Sequence, residues 1–301
     1  MKMKSSKIWF NKKLVDWEKA KIHVLTHSLH YGNAVFEGIR CYKTKKGPAV
    51  FRLDEHIKRL FYSAKVLRMK IDLSSKEVKE AILKTIKINK LNECYIRPIV
   101  FYGEKMGLNP EGAPLNIAIA VWPWPVYLGE KPIKVKVSKY IRIHPKSTIC
   151  DAKISGHYLN SILASMEVKE RGYDEALLLD YKGYIAEGVG ENIFIIKNNQ
   201  IFTPEKGNIL AGITRDTVIK LAQDLDYKVI EKKIKLAELF SANEIFFTGT
   251  AVEISSIIQV NKTLINKGRE GEITKKIKEI YKKITRGEIK KYLKWLTFLN
   301  Q

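Results

Sequence analysis

Alternating apolar and polar residues, together with short apolar runs, predict β-strands in both halves of the chain. Two such segments flank the polar turn at residues 11–13, which indicates a hairpin near the start of the chain. The strands predicted in this way cover residues 8–10, 14–17, 95–102, 115–122, 133–137, 175–180, 184–196 and 244–248.

Apolar residues spaced three and four positions apart predict amphipathic helices between these strands. Ile57, Leu60 and Ala64 would share one face of a helix over residues 54–68. Further helices are predicted over residues 158–171 and 214–225, and in two Lys- and Ile-rich segments that close the chain. Strands and helices are mixed without the regular alternation of a doubly wound sheet, so the predicted class is α+β.

Residues 123–132 break every periodic pattern and contain three prolines and Gly129. This composition is typical of a linker between domains. We therefore expect a small α/β domain over residues 1–122 and a larger domain over residues 133–301. The active site would lie in the cleft between these two domains.

The chain has 301 residues, of which 45% are hydrophobic, so it is long and apolar enough to bury a substantial core. Cys41, Cys94 and Cys150 are too few and too scattered for a disulfide framework or a cysteine-rich metal site. This favours a reducing compartment, and a cytoplasmic location is predicted. No apolar run approaches the length of a membrane span, so no membrane partner is predicted.

The formal net charge of +22 is the unusual feature of the composition. One interpretation is a nucleic-acid or anionic-surface partner, which predicts tight, steeply salt-dependent binding and no bound cofactor. In the densest part, residues 262–294, basic residues alternate with apolar ones at helical spacing, as on the solvated face of a packed helix. We therefore predict no nucleic-acid partner, although a basic surface would favour small anionic ligands.

Lys153, Tyr158 and Glu187 carry the functional groups that a pyridoxal 5'-phosphate (PLP) enzyme needs. An amine forms a Schiff base with the cofactor aldehyde, a hydroxyl bonds the phenolic oxygen, and a carboxylate pairs with the pyridine nitrogen. Taken singly, each residue has an ordinary alternative, as a solvated lysine, a core tyrosine and a carboxylate at a hairpin edge. Gly188 and Gly190, beside Glu187, favour a close approach of the backbone to a flat group.

Two glycine-containing segments are candidate sites for the cofactor phosphate. The first stands at the start of a predicted helix, where free N–H groups and the positive helix end attract anions. A threonine there is also typical of an ordinary N-cap. The second follows a predicted strand directly, and an arginine on the first predicted helix would add a positive charge. The candidate residues are Gly212, Ile213, Thr214, Gly249, Thr250 and Arg59.

Large aromatic side chains and one guanidinium are candidates for a substrate pocket. An arginine binds a carboxylate through two N–H groups, and aromatic walls accept an aliphatic side chain. Aromatic residues in strands are more often core residues than ligand contacts, so the pattern alone leaves both roles open. The candidates are Tyr31, Phe36, Tyr95, Arg97, Trp124 and Tyr127.

Taken in order, short motifs along nearly the whole chain resemble those of the branched-chain amino acid aminotransferases, which are PLP enzymes of fold type IV (aminotransferase class IV). The larger domain, over residues 133–301, would then be the cofactor-binding one. The similar segments are residues 30–32, 36–40, 51–56, 59–60, 95–98, 106–110, 124, 127–129, 153, 187–192, 212–215 and 249–251.

The resemblance implies a role for each candidate residue. Lys153 would be the Schiff-base lysine and proton carrier, Tyr158 the partner of the phenolic oxygen, and Glu187 the partner of the pyridine nitrogen. The implied phosphate ligands are Arg59, Ile213, Thr214 and Thr250, with Gly190 and Gly249 also at the cofactor. The implied substrate contacts are Tyr31, Phe36, Gly38, Tyr95, Arg97, Leu108, Trp124, Tyr127, Thr250 and Ala251, with Arg97 on the distal carboxylate of glutamate.

The implied reaction is a ping-pong transamination between leucine, isoleucine or valine and 2-oxoglutarate. The resemblance also implies a homodimer or hexamer, in which Tyr31 and the loop that carries Leu108 reach the site of a neighbouring subunit. A D-amino-acid aminotransferase or an aminodeoxychorismate lyase is the nearest alternative, although residues 95–98 and 106–110 favour the branched-chain type. His157 departs from the family pattern, which commonly has an asparagine before the tyrosine, and no catalytic role is assigned to it.

Overall fold

The computed structural model describes residues 5–125, 127–129 and 131–299, and these form two compact units. The first unit takes in Met1–Pro125, Ala152–His157 and Lys283–Gln301, and the second takes in Val126–Asp151 and Tyr158–Lys282. The division after Pro125 falls within the segment predicted as a linker, of which Val126 and Glu130 lie outside the described residues. The end of the chain, which the sequence grouped with residues 133–301, belongs to the first unit.

Helices and strands are mixed along the described chain, in agreement with the predicted α+β class. Up to residue 125 the elements are β1 (Lys7–Phe10), β2 (Lys13–Asp16), α1 (His27–Tyr31), β3 (Val35–Phe36), β4 (Ile39–Thr44), β5 (Gly47–Phe51), α2 (Leu53–Val66), α3 (Ser75–Ile88), β6 (Cys94–Tyr102) and β7 (Leu115–Trp122). They continue with β8 (Ile133–Val137), α4 (Tyr158–Lys169), β9 (Glu175–Leu179), β10 (Ile185–Gly188), β11 (Asn192–Lys197), β12 (Gln200–Pro204), α5 (Ile213–Asp224), β13 (Val229–Lys232), α6 (Leu236–Phe240), β14 (Glu244–Gly249), β15 (Glu253–Val260), β16 (Thr263–Leu264), α7 (Glu272–Thr285) and β17 (Leu296–Phe298). Short 3-10 helices cover Trp17–Lys19, Ser155–His157, Asn266–Gly268 and Lys290–Trp295.

The first unit contains an antiparallel sheet whose described strands follow the order β17-β5-β4-β6-β7-β1-β2, with β3 also paired to β6. The β6–β7 pairing runs from Tyr95 opposite Trp122 to Tyr102 opposite Leu115 without a register shift. Because directly opposite residues point to the same face of a sheet, Ile96 and Val121 share the core face of this pair. Tyr95 and Trp122 therefore lie on the other face.

Helices α2 and α3 supply much of the core of the first unit, with Ile57, Leu60, Val78 and Ile82 fully or almost fully buried. Burial of each such side chain contributes about 2 kcal/mol. A capping box starts α3, since Ser74 Oγ accepts a hydrogen bond from the Glu77 N–H at 3.2 Å while Glu77 Oε2 accepts from the Ser74 N–H at 2.7 Å. The predicted elements did not include this helix.

The second unit contains a mixed sheet whose described strands follow the order β10-β9-β8-β15-β14-β11-β12-β13, with β16 paired to β15. Strand β8 runs parallel to both β9 and β15, and β12 runs parallel to β13. Val135, Leu177, Ile193, Phe247 and Ile257 form the centre of a core on this sheet. A smaller cluster joins α4 to β9 through side chains such as Val168 and Leu178.

Two of the secondary-structure predictions are wrong. The single strand predicted over residues 184–196 is divided into β10 and β11, because the Gly188 N–H donates to the Glu191 carbonyl oxygen at 2.7 Å and closes a turn. The two helices predicted at the end of the chain are one α-helix, α7, followed by a 3-10 helix and β17. Gly287, with φ of 72°, ends the helical path, and β17 then pairs with β5.

In the part of the chain that the structure describes, no helix combines the length and the apolar character that crossing a bilayer requires.

Glu175, on β9 of the second unit, is a buried carboxyl group with incomplete hydrogen bonding. Its Oε1 accepts from the Ala176 N–H at 2.9 Å, whereas its Oε2 has no hydrogen-bond partner in the described chain. Burial raises the pKa of Glu175 from 4.5 to about 7, and the hydrogen bond from Ala176 and the charge of Lys169 oppose this only in part. Below about pH 7 the protonated form of Glu175 therefore predominates in the folded protein.

Glu175→Gln is expected to stabilise the protein at pH 8 by roughly 3 kcal/mol and to change its stability little at pH 4. Because the folded-state pKa of about 7 lies above the reference value of 4.5, the folded state binds the proton more tightly than the unfolded state. The stability that this proton contributes is complete below the lower pKa and is lost as the pH rises through the upper one. Urea unfolding of both proteins at both pH values measures the difference, and equal effects at the two pH values would contradict the prediction.

Candidate active site

Lys153 lies in a short extended segment beside β3, within the first unit. The Phe36 N–H donates to the Lys153 carbonyl oxygen at 3.2 Å, and the Ser155 N–H donates to the Ala34 carbonyl oxygen at 2.8 Å. On its other side the Lys153 N–H donates to Ser63 Oγ on α2 at 2.9 Å. These backbone contacts fix the position of Lys153 independently of its side chain.

The Lys153 side chain is half-buried, and its Nζ lies 5.0 Å from the centroid of the Phe36 ring. The residues on either side of it, Ala152 and Ile154, are buried. The chain then passes through the 3-10 helix Ser155–His157 and begins α4 at Tyr158, where the predicted helix over residues 158–171 also begins. The backbone contacts and the Phe36 ring therefore hold this amine at a defined place in the first unit.

Arg59 on α2 is held by Glu37, which follows β3 and is completely buried. The guanidinium donates from Nε to Glu37 Oε1 at 2.6 Å and from Nη2 to Glu37 Oε2 at 2.9 Å. His56, one turn earlier on α2, contacts Glu37 Oε2 through Nδ1 at 2.7 Å. The two hydrogen bonds between Arg59 and Glu37 fix the plane of the guanidinium. A fixed guanidinium plane suits an arginine that binds a phosphate.

The ionisation of this cluster follows from its burial and its partners. Burial alone would raise the pKa of Glu37, but the charge of Arg59 and hydrogen bonds from Arg59 and His56 hold that pKa well below its usual range. Burial lowers the pKa of His56 and outweighs the contact with Glu37, which would raise it. At neutral pH the cluster therefore consists of a carboxylate, a guanidinium and a neutral imidazole.

The predicted substrate residues of the first unit gather on the face of β6 and β7 that points away from the core. The Arg97 guanidinium carbon lies 4.6 Å from the Phe36 ring centroid and 5.5 Å from that of Tyr95. The Trp124 ring lies 4.9 Å from Tyr95. A Cβ on Gly38 would lie 2.0 Å from Tyr95 Oη, so only glycine leaves room for this hydroxyl.

Tyr31 and Leu108, predicted to reach a neighbouring subunit, lie beside each other in the first unit. Tyr31 Oη accepts a hydrogen bond from the Gly107 N–H at 3.3 Å. His27 secures the same loop, because its Nε2 lies 2.7 Å from the Gly107 carbonyl oxygen. The Leu108 side chain is 85% exposed, which is unusual for leucine and leaves its apolar surface available.

Glu187 of the second unit is buried and is surrounded by hydrogen-bond donors. Arg142 forms an ion pair with Glu187 through Nε, and Arg142 and Glu187 are both more than nine-tenths buried. Asn192 Nδ2 and the Leu210 N–H each donate to Glu187 Oε2 at 3.1 Å. The contacts with Arg142, Asn192 and Leu210 therefore hold the Glu187 carboxylate in one orientation.

Gly212, Ile213 and Thr214 stand at the beginning of α5, as predicted, with Gly212 at the N-cap and no side chain of the described residues capping the helix. The Gly212 N–H donates to Asn192 Oδ1 at 3.1 Å, and a Cβ on Gly212 would lie 2.1 Å from this same oxygen. Glycine is thus required for the close approach. An uncapped helix start leaves N–H groups for an anion such as a phosphate ester.

Arg215, part of the same predicted motif, is structural. Its Nη2 donates to the Pro204 carbonyl oxygen at 2.8 Å and to Glu231 Oε2 at 2.6 Å, and its side chain is buried. These contacts join the start of α5 to the end of β12 and to β13.

The remaining predicted residues of the second unit lie at the ends of its elements. Gly249 ends β14, and the Gly190 carbonyl oxygen lies 3.3 Å from the position of a Cβ on Gly249. Thr250 and Ala251 follow in the turn to β15, and the Tyr127 N–H donates to the Ala251 carbonyl oxygen at 2.9 Å. The structure thus brings Gly190 to Gly249 and Tyr127 to Ala251.

Arg142 is the buried ion-pair partner of Glu187, and sequence reasoning missed it. Arginine is usually a surface residue, and nothing in the sequence around position 142 distinguishes it from a solvated one. The roles of Glu37 and His56 beside Arg59 were also missed, although a carboxylate next to the apolar residues Val35 and Phe36 was an available signal.

The two sets of residues have the groups that PLP requires. The first unit provides an amine and a guanidinium fixed by a carboxylate, and the second provides a buried carboxylate and an uncapped helix N-terminus. An aldehyde, a phosphate ester and a pyridine nitrogen find complementary chemistry in these groups.

Comparisons with known proteins agree with this chemistry. The family model described as amino-transferase class IV matches residues 34–260. A branched-chain-amino-acid aminotransferase of Pseudomonas aeruginosa is 45% identical over 297 residues, which cover 97% of each chain.

Solved structures extend the likeness to the fold. A branched-chain amino acid aminotransferase of T.th., complexed with N-(5'-phosphopyridoxyl)-L-glutamate, is 42% identical with a TM-score of 0.95, and the match covers 99% of this chain and 100% of that one. The branched-chain aminotransferase of Thermoproteus uzoniensis, solved with norvaline, is 41% identical with a TM-score of 0.95, over 98% of this chain and 100% of that one. The resemblance drawn from the motifs is confirmed, and the chain belongs to the amino-transferase class IV family.

Proposed function

We infer that this protein is a PLP-dependent transaminase that moves the amino group of leucine, isoleucine or valine to 2-oxoglutarate, giving the branched 2-oxo acid and L-glutamate. The observation that carries this inference is the 45% identity with a branched-chain-amino-acid aminotransferase over 97% of both chains. Two similar branched-chain aminotransferase structures support the two substrate classes. One contains N-(5'-phosphopyridoxyl)-L-glutamate, and the other contains norvaline, an amino acid with an aliphatic side chain.

PLP, when bound, supplies an aldehyde that carries the amino group and a ring that accepts the electron pair released at the α-carbon. Lys153 would hold the cofactor through its amine, and the same amine would move the proton that leaves the substrate α-carbon. Tyr158 donates to the phenolic oxygen, and Glu187 pairs with the pyridine nitrogen. The ion pair of Glu187 with Arg142 supports this role because it fixes the carboxylate before the cofactor arrives.

We assign the cofactor phosphate to Arg59 and to the N–H or hydroxyl groups of Ile213, Thr214 and Thr250, with the backbone of Gly190 and Gly249 close to the cofactor. The contact of Arg59 with Glu37 supports the assignment, because an oriented guanidinium loses little freedom on binding.

One pocket must accept both a branched aliphatic side chain and the side chain of glutamate. Tyr95 and the N–H groups of Thr250 and Ala251 bind the α-carboxylate in this proposal, and Arg97 binds the distal carboxylate. Phe36, Trp124 and Tyr127 form the apolar wall, with Gly38 leaving space for Tyr95. The stacking of Arg97 on Phe36 supports a pocket in which charge and apolar surface lie side by side.

We propose that a homodimer is the smallest active assembly, alone or within a hexamer, and that Tyr31 and Leu108 contact a neighbouring subunit. The exposed apolar residues of this region of the first unit support association with a second copy: Ile22, Val24, Leu25, Leu29 and Leu108. Light scattering in solution would give the mass, and a monomer would exclude the proposal. We place the enzyme in the cytoplasm, in keeping with its three unpaired cysteines.

The purified holoenzyme is expected to convert L-leucine and 2-oxoglutarate to the branched oxo acid and L-glutamate. Each half-reaction should change the visible absorbance of the bound cofactor, and chromatography of the oxo acids identifies the products. D-alanine should give little change, because an L-specific site presents its proton acceptor on one side of the α-carbon.

Two outcomes would assign a different activity to this protein. Faster reaction with D-alanine than with L-leucine would indicate a D-amino-acid aminotransferase. Release of pyruvate from aminodeoxychorismate without an amino acceptor would indicate a lyase. Activity measured at low and high salt is the control for the net charge of +22, which is not expected to govern catalysis.

A further inference from the structure

Two buried hydrogen-bond donors on one face of the β6–β7 pair have no acceptor in the described chain. Trp122 is directly opposite Tyr95, and Arg97 is two residues further along β6, so all three side chains project to the same side of the sheet. Ala120, the residue opposite Arg97, is small and leaves space on this face. The two donor atoms are Trp122 Nε1 and Arg97 Nε.

The position of the Trp122 indole is fixed by aromatic packing. Its ring lies 5.4 Å from Tyr95 and 5.5 Å from Trp124, and only 6% of the residue is exposed. A buried indole N–H usually has a partner, and an orphaned donor is unfavourable unless a ligand or water satisfies it. Trp122 therefore points to a missing acceptor at this place.

The chemistry of the two donors restricts that acceptor. An indole nitrogen only donates, and a guanidinium only donates and carries a positive charge. A carboxylate, which only accepts and is negative, is complementary to both. The aliphatic side chain of leucine has no acceptor, whereas glutamate and 2-oxoglutarate carry a distal carboxylate.

We propose that Trp122 is a specificity-determining residue whose indole N–H, beside Arg97, donates to the distal carboxylate of glutamate and 2-oxoglutarate. The proposal deepens and rests on the function inferred above, since it concerns the dicarboxylate half of the exchange. With a branched-chain substrate the indole N–H stays without this acceptor, so the two substrate classes use the same wall differently.

Trp122→Phe tests this directly, because phenylalanine keeps an aromatic ring and removes the donor. The probes are glutarate and 4-methylpentanoate, which are glutamate and leucine without the amine and so bind without reacting. In calorimetric titration of the holoenzyme, the variant should bind glutarate about tenfold more weakly, the effect of losing one hydrogen bond to a charged group. Binding of 4-methylpentanoate should change by less than about twofold.

Trp9→Phe is the matched control. Trp9 is also 6% exposed, but it packs in the core of the first unit. The Trp9→Phe variant should leave the affinity for glutarate and for 4-methylpentanoate unchanged. Equal weakening of both acids by Trp122→Phe would mean that Trp122 only packs, and no weakening of either would mean that it makes no substrate contact; either result overturns the proposal.

A second measurement does not depend on the folding of the variant. The chain has five tryptophans, so a ¹⁵N NMR spectrum of the wild-type holoenzyme is expected to contain five indole N–H signals. The Trp122 signal, assigned by its absence in Trp122→Phe or by selective labelling, should shift on addition of glutarate and not of 4-methylpentanoate. A signal that ignores glutarate would contradict the proposal. Wild-type turnover of L-leucine separately tests the proposed function, so the two failures are distinguishable.

Discussion

Replacing Lys153 with alanine is expected to lower transamination by at least about 10⁴-fold, because the loss of positioned acid–base catalysis alone removes roughly 10²–10⁴ and the covalent role is lost as well. The backbone around Lys153 should stay in place, since its carbonyl oxygen is bonded to the Phe36 N–H and its N–H to Ser63 Oγ. Steady-state assay with L-leucine measures the first effect. Mass spectrometry after borohydride reduction shows whether any cofactor stays attached to the protein.

Lys65→Ala is the matched control for this substitution. Lys65 lies on α2 in the same unit and is exposed. It should retain both activity and the covalently attached cofactor. A Lys153→Ala protein that still holds the cofactor covalently after reduction would refute the assignment of the amine, whatever its activity.

The elements that the sequence predicted most accurately are those whose pattern is local. The predicted strands over residues 115–122 and 133–137 agree with β7 and β8 at both ends. In β7 the buried residues Ile117, Ile119 and Val121 alternate with less buried ones. This two-residue alternation is the sequence pattern that predicts a strand with one buried face. The helix predicted over residues 158–171 similarly starts where α4 starts.

The two wrong predictions have different causes, one a local turn and the other a contact between residues that are distant in sequence. Residues 184–196 were predicted as one strand, but the turn from Gly188 to Glu191 separates β10 from β11. The end of the chain becomes β17 because β5 is available as a partner more than 200 residues earlier. No local pattern contains that pairing.

The same distinction applies to the candidate site. Lys153, Arg59 and Glu187 were proposed from motifs, but their immediate partners were not. Glu37 is 22 residues from Arg59, and Arg142 is 45 residues from Glu187. The sequence therefore identifies candidate catalytic groups more readily than the groups that hold them in position, because the positioning groups are brought close only by the fold.

Glu187→Gln is expected to lower transamination by about 10²–10³-fold, the usual effect of removing one fixed electrostatic partner from a catalytic site. A neutral amide cannot compensate the positive charge of a protonated pyridine nitrogen. The same substitution leaves Arg142 buried without its counter-charge, which should destabilise the fold by about 3 kcal/mol. Urea unfolding and steady-state assay measure the two effects on one sample. Glu175→Gln, also a buried Glu in the second unit, should keep full activity.

The double variant Arg142→Met/Glu187→Gln separates chemistry from stability. Removing the buried cation together with its partner should recover most of the lost stability, because the cost of the single variant is an uncompensated charge. Activity should stay as low as in Glu187→Gln, since the carboxylate is still missing. If the double variant regained activity along with stability, the carboxylate would serve only to neutralise Arg142, and its assignment to the cofactor nitrogen would be wrong. A loss of activity that persists in a stable protein instead identifies Glu187 as part of the chemistry, with Arg142 as the residue that holds it in place.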